Sequence, residues 1–510
     1  MKKRYSLLLL SPGHVYSNMW ALKELGALMN KSSASIPLAL PLLAAITPDH
    51  YDITLVDEES SPIDFDRDWD LVGISSIMTN VDRAYEISAR FRARGIPVIL
   101  GGPYSSLNHE ESLGHADTVV VGEAEDLWPG VLADFESGDL KPVYKAEGFP
   151  SIGRQPIPRW DLIDTRQTLS LNVQISRGCP NGCDFCCVPA MFGYKQRYRE
   201  IDNVVEEIRS LPIKQLSFVD DNFTADREYA RELCERLIPL EVSWNCLCDS
   251  RVARDRELLD LMAAAGCHTI LIGFESLDPE SLAIAKAKRN RVAEYRDVVA
   301  AINGAGIHVT GAFVVGFDGD TLEAFDDIYD FYMETDVSYV MLNILTAFPG
   351  TRLHADLAAQ GRTWEVPSRF LTGVFPSFDY KPPLTPMGLF EKNLDAYERI
   401  YSYDIVYDKM MRLYANGNYV HPRRNIGMWS KVSGMGSVFR RFVLSGDPRK
   451  RALIRRVFGL IQTGKLRPDL IFEYLFFVES ANDYIARYRG MRERLVEDME
   501  TYLPGTRTTD

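Results

Sequence analysis

The sequence holds no apolar run long enough to cross a membrane, which excludes a bundle of transmembrane helices. Its start, Met1-Lys-Lys-Arg-Tyr-Ser followed by four leucines, has the charge of a leader but not the length, and Ser11-Pro12-Gly13 turns the chain at once. A buried strand fits the leucines better, and the expected location is the cytoplasm. Positive charge is also in short supply. The 57 Lys and Arg against 71 Asp and Glu leave a net charge of −14, so no nucleic-acid partner is expected. Cysteine is scarcer still: eight in 510 residues cannot make a disulfide scaffold. Nor is there a short repeat of the solenoid kind.

What is present is an ordinary globular composition, 46% apolar and 25% charged, in a chain too long for one core. Over residues 1–140, strands near 5–10, 51–56, 71–75, 97–100 and 118–121 alternate with helices near 37–47 and 81–94. That order implies a doubly wound, Rossmann-like α/β domain with ligands beyond the carboxyl ends of its strands. Ser75, Ser76, Gly101, Gly102 and Gly122 stand at those ends, where small residues admit a cofactor against backbone or simply stop the strands. Residues 141–168 carry four prolines and no period, and read as a linker. A second series over 169–365, with strands near 171–176, 214–220, 242–249, 269–275, 307–315 and 338–346, suggests a partial (β/α)6 barrel. From 366 to 510, Pro367, Pro376, Pro382, Pro383 and Pro386 mark loops before a mostly helical lid or substrate domain. Within it, His421 to Arg467 holds twelve Lys and Arg against one acid, Asp447, together with Trp429, Phe439, Phe442, Leu453, Ile454 and Phe458.

Four of the eight cysteines fall within nine residues, in Gly178-Cys-Pro-Asn-Gly-Cys-Asp-Phe-Cys-Cys187, directly after the strand expected at 171–176. Packing needs no such crowding. Thiolates select soft metals and iron–sulfur clusters. Cys179, Cys183 and Cys186 form a Cys-x3-Cys-x2-Cys set of three ligands, where a closed cluster takes four. A structural zinc needs a second Cys or His pair at matching spacing, and none is evident. Cys187, adjacent to Cys186, is badly placed as a fourth ligand of the same cluster.

This motif resembles that of the radical S-adenosylmethionine superfamily, and residues 1–365 are similar to its members with an N-terminal cobalamin-binding domain. The resemblance implies a [4Fe-4S] cluster on Cys179, Cys183 and Cys186. Its open iron would chelate S-adenosylmethionine, and an electron from an external donor of the flavodoxin or ferredoxin type would release a 5′-deoxyadenosyl radical. It further implies that Phe185 touches the adenine, that Asp220 or Asp221 meets the methionine amino group, and that Arg251, Glu275 and Ser276 hold the carboxylate and ribose. Gly316 would close the adenine site. Read from the residues alone, the alternatives are that Asp220 and Asp221 cap the next helix and that Arg251 and Glu275 form a surface ion pair. Cys246 and Cys248 share one face of a strand, either lining the barrel or packing its core.

Ser11-Pro-Gly-His14, Asp70 to Ser76, Ile99-Leu-Gly-Gly-Pro103 and His115 to Glu125 resemble the cobalamin domain of that subgroup, implying cobalamin against Ser75, Ser76, Gly101, Gly102 and Gly122. The Asp-x-His-x-x-Gly signature is absent. His14 is the nearest candidate cobalt ligand, or else a helix cap or a solvent contact. The implied function is radical C-methylation of an unactivated carbon. Ring closure, carbon–carbon coupling or aminocarboxypropyl transfer, and a non-catalytic cobalamin or redox sensor, are the alternatives. The substrate is expected to be a small molecule or a lipid, with residues 421–467 either touching anionic headgroups or pairing with acidic faces of the other domains.

Overall fold

Leu7 to Leu10 are fully buried because their strand lies inside a parallel sheet and both of its faces are covered. The computed structural model describes residues 3–14, 16, 26, 31–287, 289–416, 436, 439–462 and 468–503. Strand β1 (Tyr5–Ser11) pairs in parallel with β2 (Tyr51–Asp57) on one side and β3 (Leu71–Ser75) on the other. With β4 (Val98–Gly101), β5 (Thr118–Val121) and β6 (Val143–Lys145) the order is β2-β1-β3-β4-β5-β6. The linker expected from residue 141 therefore begins with a sixth strand, which three residues beside β5 suffice to form. Ala84, Ile87 and Phe91 of helix Val81–Arg92 cover one face, and helices Ala39–Ala45 and Trp128–Ser137 cover the other. The sheet is doubly wound, as the sequence implies.

A second parallel sheet follows: β7 (Leu171–Val173), β10 (Gln215–Phe218), β11 (Ser243–Cys248), β12 (Cys267–Glu275), β13 (His308–Val315) and β14 (Tyr339–Ile344), in chain order from one edge to the other. Between β7 and β10 the antiparallel pair β8 (Ser176–Arg177) and β9 (Arg197–Tyr198) forms the neck of the cysteine loop. The exposed backbone of edge strand β14 is capped rather than paired. Tyr401 Oη accepts from Val340 N at 3.0 Å and donates to its carbonyl at 2.7 Å, and Tyr397 Oη does the same for Leu342 at 2.8 Å. Both tyrosines belong to the C-terminal helical region, and one apolar core runs from the barrel into those helices. That region is thus built onto the barrel. Among the described residues no helix is long and apolar enough to cross a membrane.

Part of the basic stretch, including Trp429, lies outside the described residues. In the rest, Arg441 pairs with Asp483 at 2.9 Å, Lys450 with the buried Glu479, Arg449 with Asp447 and Arg456 with Asp404. For these four described residues the partners lie within the helical region itself rather than on acidic faces of the other two domains. Packing of the helices against one another puts them within reach, Arg449 and Asp447 being the one local pair of the four.

Candidate active site

The cysteine loop is shaped by glycines and held by charge. Gly178 has φ +92°, and a Cβ there would lie 2.6 Å from the Lys195 carbonyl, so only glycine fits between β8 and Cys179. Cys179 N donates to the Gly193 carbonyl at 3.3 Å and Cys186 N to that of Cys183 at 3.2 Å. Buried Asp184 binds Lys286 at 2.5 Å and Arg352 at 3.5 Å, and Arg289 donates to Asn181. These contacts hold the three cysteines on one short, braced loop. Burial pushes the Cys183 thiol up to about 12 and raises those of Cys179 and Cys186 as well. Such thiols need iron's positive charge to ionise, and three soft donors on one short loop fit a cluster. A cubane takes its thiolates at separate corners. No three His, Cys, Asp or Glu side chains among the described residues converge to hold a single ion.

Around the loop the strand ends bring together most of the expected S-adenosylmethionine residues. Phe185 meets Phe317 edge-on, ring centroids 5.9 Å apart, and Phe317 follows Gly316. Buried Asp320 accepts from the backbone N–H groups of both Gly316 and Phe317, at 2.8 and 2.9 Å, and fixes that turn. The sequence reading missed Asp320, although an acid four residues beyond a strand-end glycine is a recognisable turn signal. Glu275 adopts φ +68°, a strained conformation for a non-glycine residue that costs about 1–3 kcal/mol. Gly273 makes room for its carboxylate, since a Cβ there would lie 2.3 Å from Oε1. Glu275 is partly open to solvent, yet its carboxylate is surrounded enough that burial pushes it up to about 7. No described residue donates a hydrogen bond to it, so a hydroxyl-bearing ligand would supply what it lacks. Ser276 is buried beside it and accepts from Asp278 N at 3.0 Å.

One expectation is corrected, and one pair of alternatives is decided. Asp220 does not face a ligand: its carboxylate accepts from Ile175 N at 3.0 Å and from the backbone and hydroxyl of Ser176, locking the bend between β7 and β8. Asp221 is the partly open member of the pair, and its charge raises the Cys179 and Cys186 thiols. Cys246 and Cys248, with sulfurs 3.7 Å apart, face the helix layer with Cys234 and Cys267, while Asn245 and Leu247 take the opposite face of β11. They are core residues. Arg251 is in an ion pair, but with Asp249 (Nε to Oδ1 2.9 Å) rather than with Glu275.

A cavity lies where the carboxyl ends of both sheets meet, enclosing about 1250 Å³ including its open mouth. Ser75, Gly101, Gly102 and Gly122 line one wall, and Gln174, Arg177, Met191, Phe192 and Val219 of the barrel line the other. It extends between the sheet and helix Ala39–Ala45, against Leu9, Gly73 and Trp128. Ser76 is not in the lining: it is fully buried, and its backbone braces Gly101 and Tyr104. His14 is not there either, its ring bonding Thr79 Oγ1 at 2.8 Å. The sequence reading did not single out Glu123, Glu125 or Arg177, which also line the cavity.

An open parallel barrel carrying a three-cysteine cluster loop, with a second cofactor-sized cavity facing that loop, defines an iron–sulfur enzyme of the radical type. Residues 173–332 match the Radical SAM superfamily model. The chain is 32% identical over 338 residues to bacteriochlorophyllide d C-12(1)-methyltransferase of Chlorobaculum tepidum, covering 64% of this chain and 74% of the relative. It is 29% identical over 384 residues to the C-8(2)-methyltransferase of the same organism, covering 71% and 85%. Its fold is similar to that of the radical S-adenosylmethionine methyltransferase TsrM from Kitasatospora setae, solved with cobalamin and a [4Fe-4S] cluster bound. The TM-score is 0.59 at 18% identity, over 77% of this chain and 91% of that one. The chain belongs to the radical SAM superfamily.

Proposed function

We propose that this protein is a cobalamin-dependent radical S-adenosylmethionine methyltransferase acting on an unactivated carbon. The observation that carries the reading is the shared cavity, whose barrel wall includes Met191 and Phe192 of the helix that directly follows the cluster cysteines. When bound, the cluster supplies the electron that cleaves S-adenosylmethionine, and cobalamin supplies a transferable methyl group. The chain's own residues bind and orient. Phe185 packs the adenine, Arg251 keeps two nitrogens on Asp249 and turns its remaining nitrogen to the carboxylate, Asp221 takes the amino group, and Glu275 accepts from the ribose. Both relatives described above are named for bacteriochlorophyllide d, which supports a sizeable, largely apolar small molecule as substrate. The half-buried loop around Asn181 offers an external flavodoxin- or ferredoxin-type donor a short path to the cluster.

Counting products tests the reaction. Turnover should release both 5′-deoxyadenosine and S-adenosylhomocysteine, in amounts that rise with methylated product. Release of 5′-deoxyadenosine alone would assign ring closure or coupling instead. The ligand set is tested separately by Arg251→Lys and Glu275→Gln. A lost charge-assisted hydrogen bond is worth about 1.5–3 kcal/mol, so S-adenosylmethionine binding should weaken roughly ten- to a hundredfold. Unchanged affinity in both variants would return these residues to a structural role.

A further inference from the structure

We propose that Glu123, Glu125, Arg177 and Arg197 form an ionic bridge that aligns the cluster loop with the ligand cavity, so that filling either site tightens the other. This rests on the cobalamin reading above.

Four charges meet where the two sheets face each other. Arg177 contacts Glu123 through one guanidinium nitrogen and Glu125, at 2.5 Å, through another, while its Nε donates to Gln174 at 2.8 Å. Arg197 grips the same Glu123 through both of its terminal nitrogens, one at 3.1 Å, and donates to the Pro150 carbonyl at 2.7 Å. The Arg177 and Glu123 side chains are only 7% and 3% exposed. Buried ion pairs of this kind are commonly no more stabilising than apolar residues of equal size, so stability alone does not account for them. Position does. Glu123 follows Gly122, whose φ of +94° ends β5 on the cavity wall. Arg177 directly precedes Gly178 and Cys179, and Arg197 is its cross-strand partner in the hairpin neck. A ligand that orders the segment Gly122 to Glu125 therefore orders the neck of the cluster loop through two planar forks, whose geometry a lysine would not reproduce. Glu123, Glu125 and Arg177 also line the cavity, so its ligand touches the bridge itself. If the cluster favours the cavity-filled arrangement, the cavity ligand favours the cluster-bearing one by the same factor.

The test is the affinity of the full chain for hydroxocobalamin, titrated by absorbance before and after anaerobic reconstitution of the cluster. Reconstitution should lower the Kd roughly fivefold or more, the usual scale of coupling between sites. In Glu123→Gln that ratio should fall to about one, and Glu123→Asp should restore part of it, because coupling needs the shared carboxylate. A merely structural bridge would weaken both states alike and leave the ratio untouched. A ratio of one in the unmodified protein, or an unchanged ratio in Glu123→Gln, overturns the proposal. Should Glu123→Gln not fold, Arg197→Lys, which keeps the charge but loses the two-nitrogen grip on Glu123, carries the test: its ratio should fall toward one, and an unchanged ratio overturns the proposal. Failure of the unmodified chain to bind cobalamin in either state overturns the cobalamin reading, and the bridge with it.

Discussion

Alanine at any one of Cys179, Cys183 and Cys186 is expected to abolish S-adenosylmethionine cleavage. The anaerobically reconstituted protein should hold about four irons and a band near 400 nm, as thiolate-held cubanes do, and each variant should lose most of both. The loss should be local. The loop is pinned by Asp184 to Lys286 and Arg352, and its neck by the β8–β9 pair, so removing one thiol leaves the backbone in place. Cys187→Ala is the control. Its carbonyl accepts from Met191 N at 3.1 Å at the head of helix Val188–Phe192, and alanine keeps that bond. Iron content, absorbance and 5′-deoxyadenosine release should then match the unmodified protein. Loss of the cluster in Cys187→Ala would show that the ligand set is drawn wrongly.

The parts of this site that periodicity and punctuation encode were legible, and the parts set by long-range contact were not. The buried strands of both sheets stand out as short apolar runs, β4, β5 and β13 stopped by glycine, and the cysteine spacing is local, so both could be read directly. Asp220 and Asp221 could not be told apart, since one-residue alternation decides which faces the barrel, and the bend at Ile175–Ser176 that claims Asp220 is made 44 residues away. Cys246 and Cys248 posed the same problem: sharing a face was evident, which face was not. The ionic bridge was out of reach for another reason. Its halves lie 54 residues apart, in segments whose own patterns describe only strand ends and turns. The basic stretch illustrates the converse, because a local charge excess suggests an external partner until the fold brings Glu479, Asp483 and Asp404 beside it.

Two adjacent glycines should respond to substitution in opposite ways, and the contrast tests the cavity directly. A Cβ on Gly101 would meet only Val120, at 3.9 Å, and the backbone there is ordinary for any residue. Ile99, two residues earlier on the same face of β4, already lines the cavity, so a leucine at 101 would project into it. Gly101→Leu is therefore expected to fold, to keep its cluster and to keep unproductive S-adenosylmethionine cleavage, while losing cobalamin. Overpacking a ligand site costs about 1–3 kcal/mol, so bound cobalamin should drop roughly tenfold or more, and methyl transfer with it. Gly102 has φ +91° and ψ −177°, a region open essentially to glycine alone, and a Cβ there would lie 2.6 Å from the Ser76 carbonyl. Gly102→Ala should accordingly lower the thermal midpoint of the whole N-terminal sheet, by an amount matching a strain of about 1–3 kcal/mol, whether or not cobalamin is present. Cobalamin content measured beside a melting curve separates the two effects. If Gly101→Leu melts normally and still carries about one cobalamin per chain, the corrin does not occupy this cavity, and the glycines at these strand ends serve only to turn the chain.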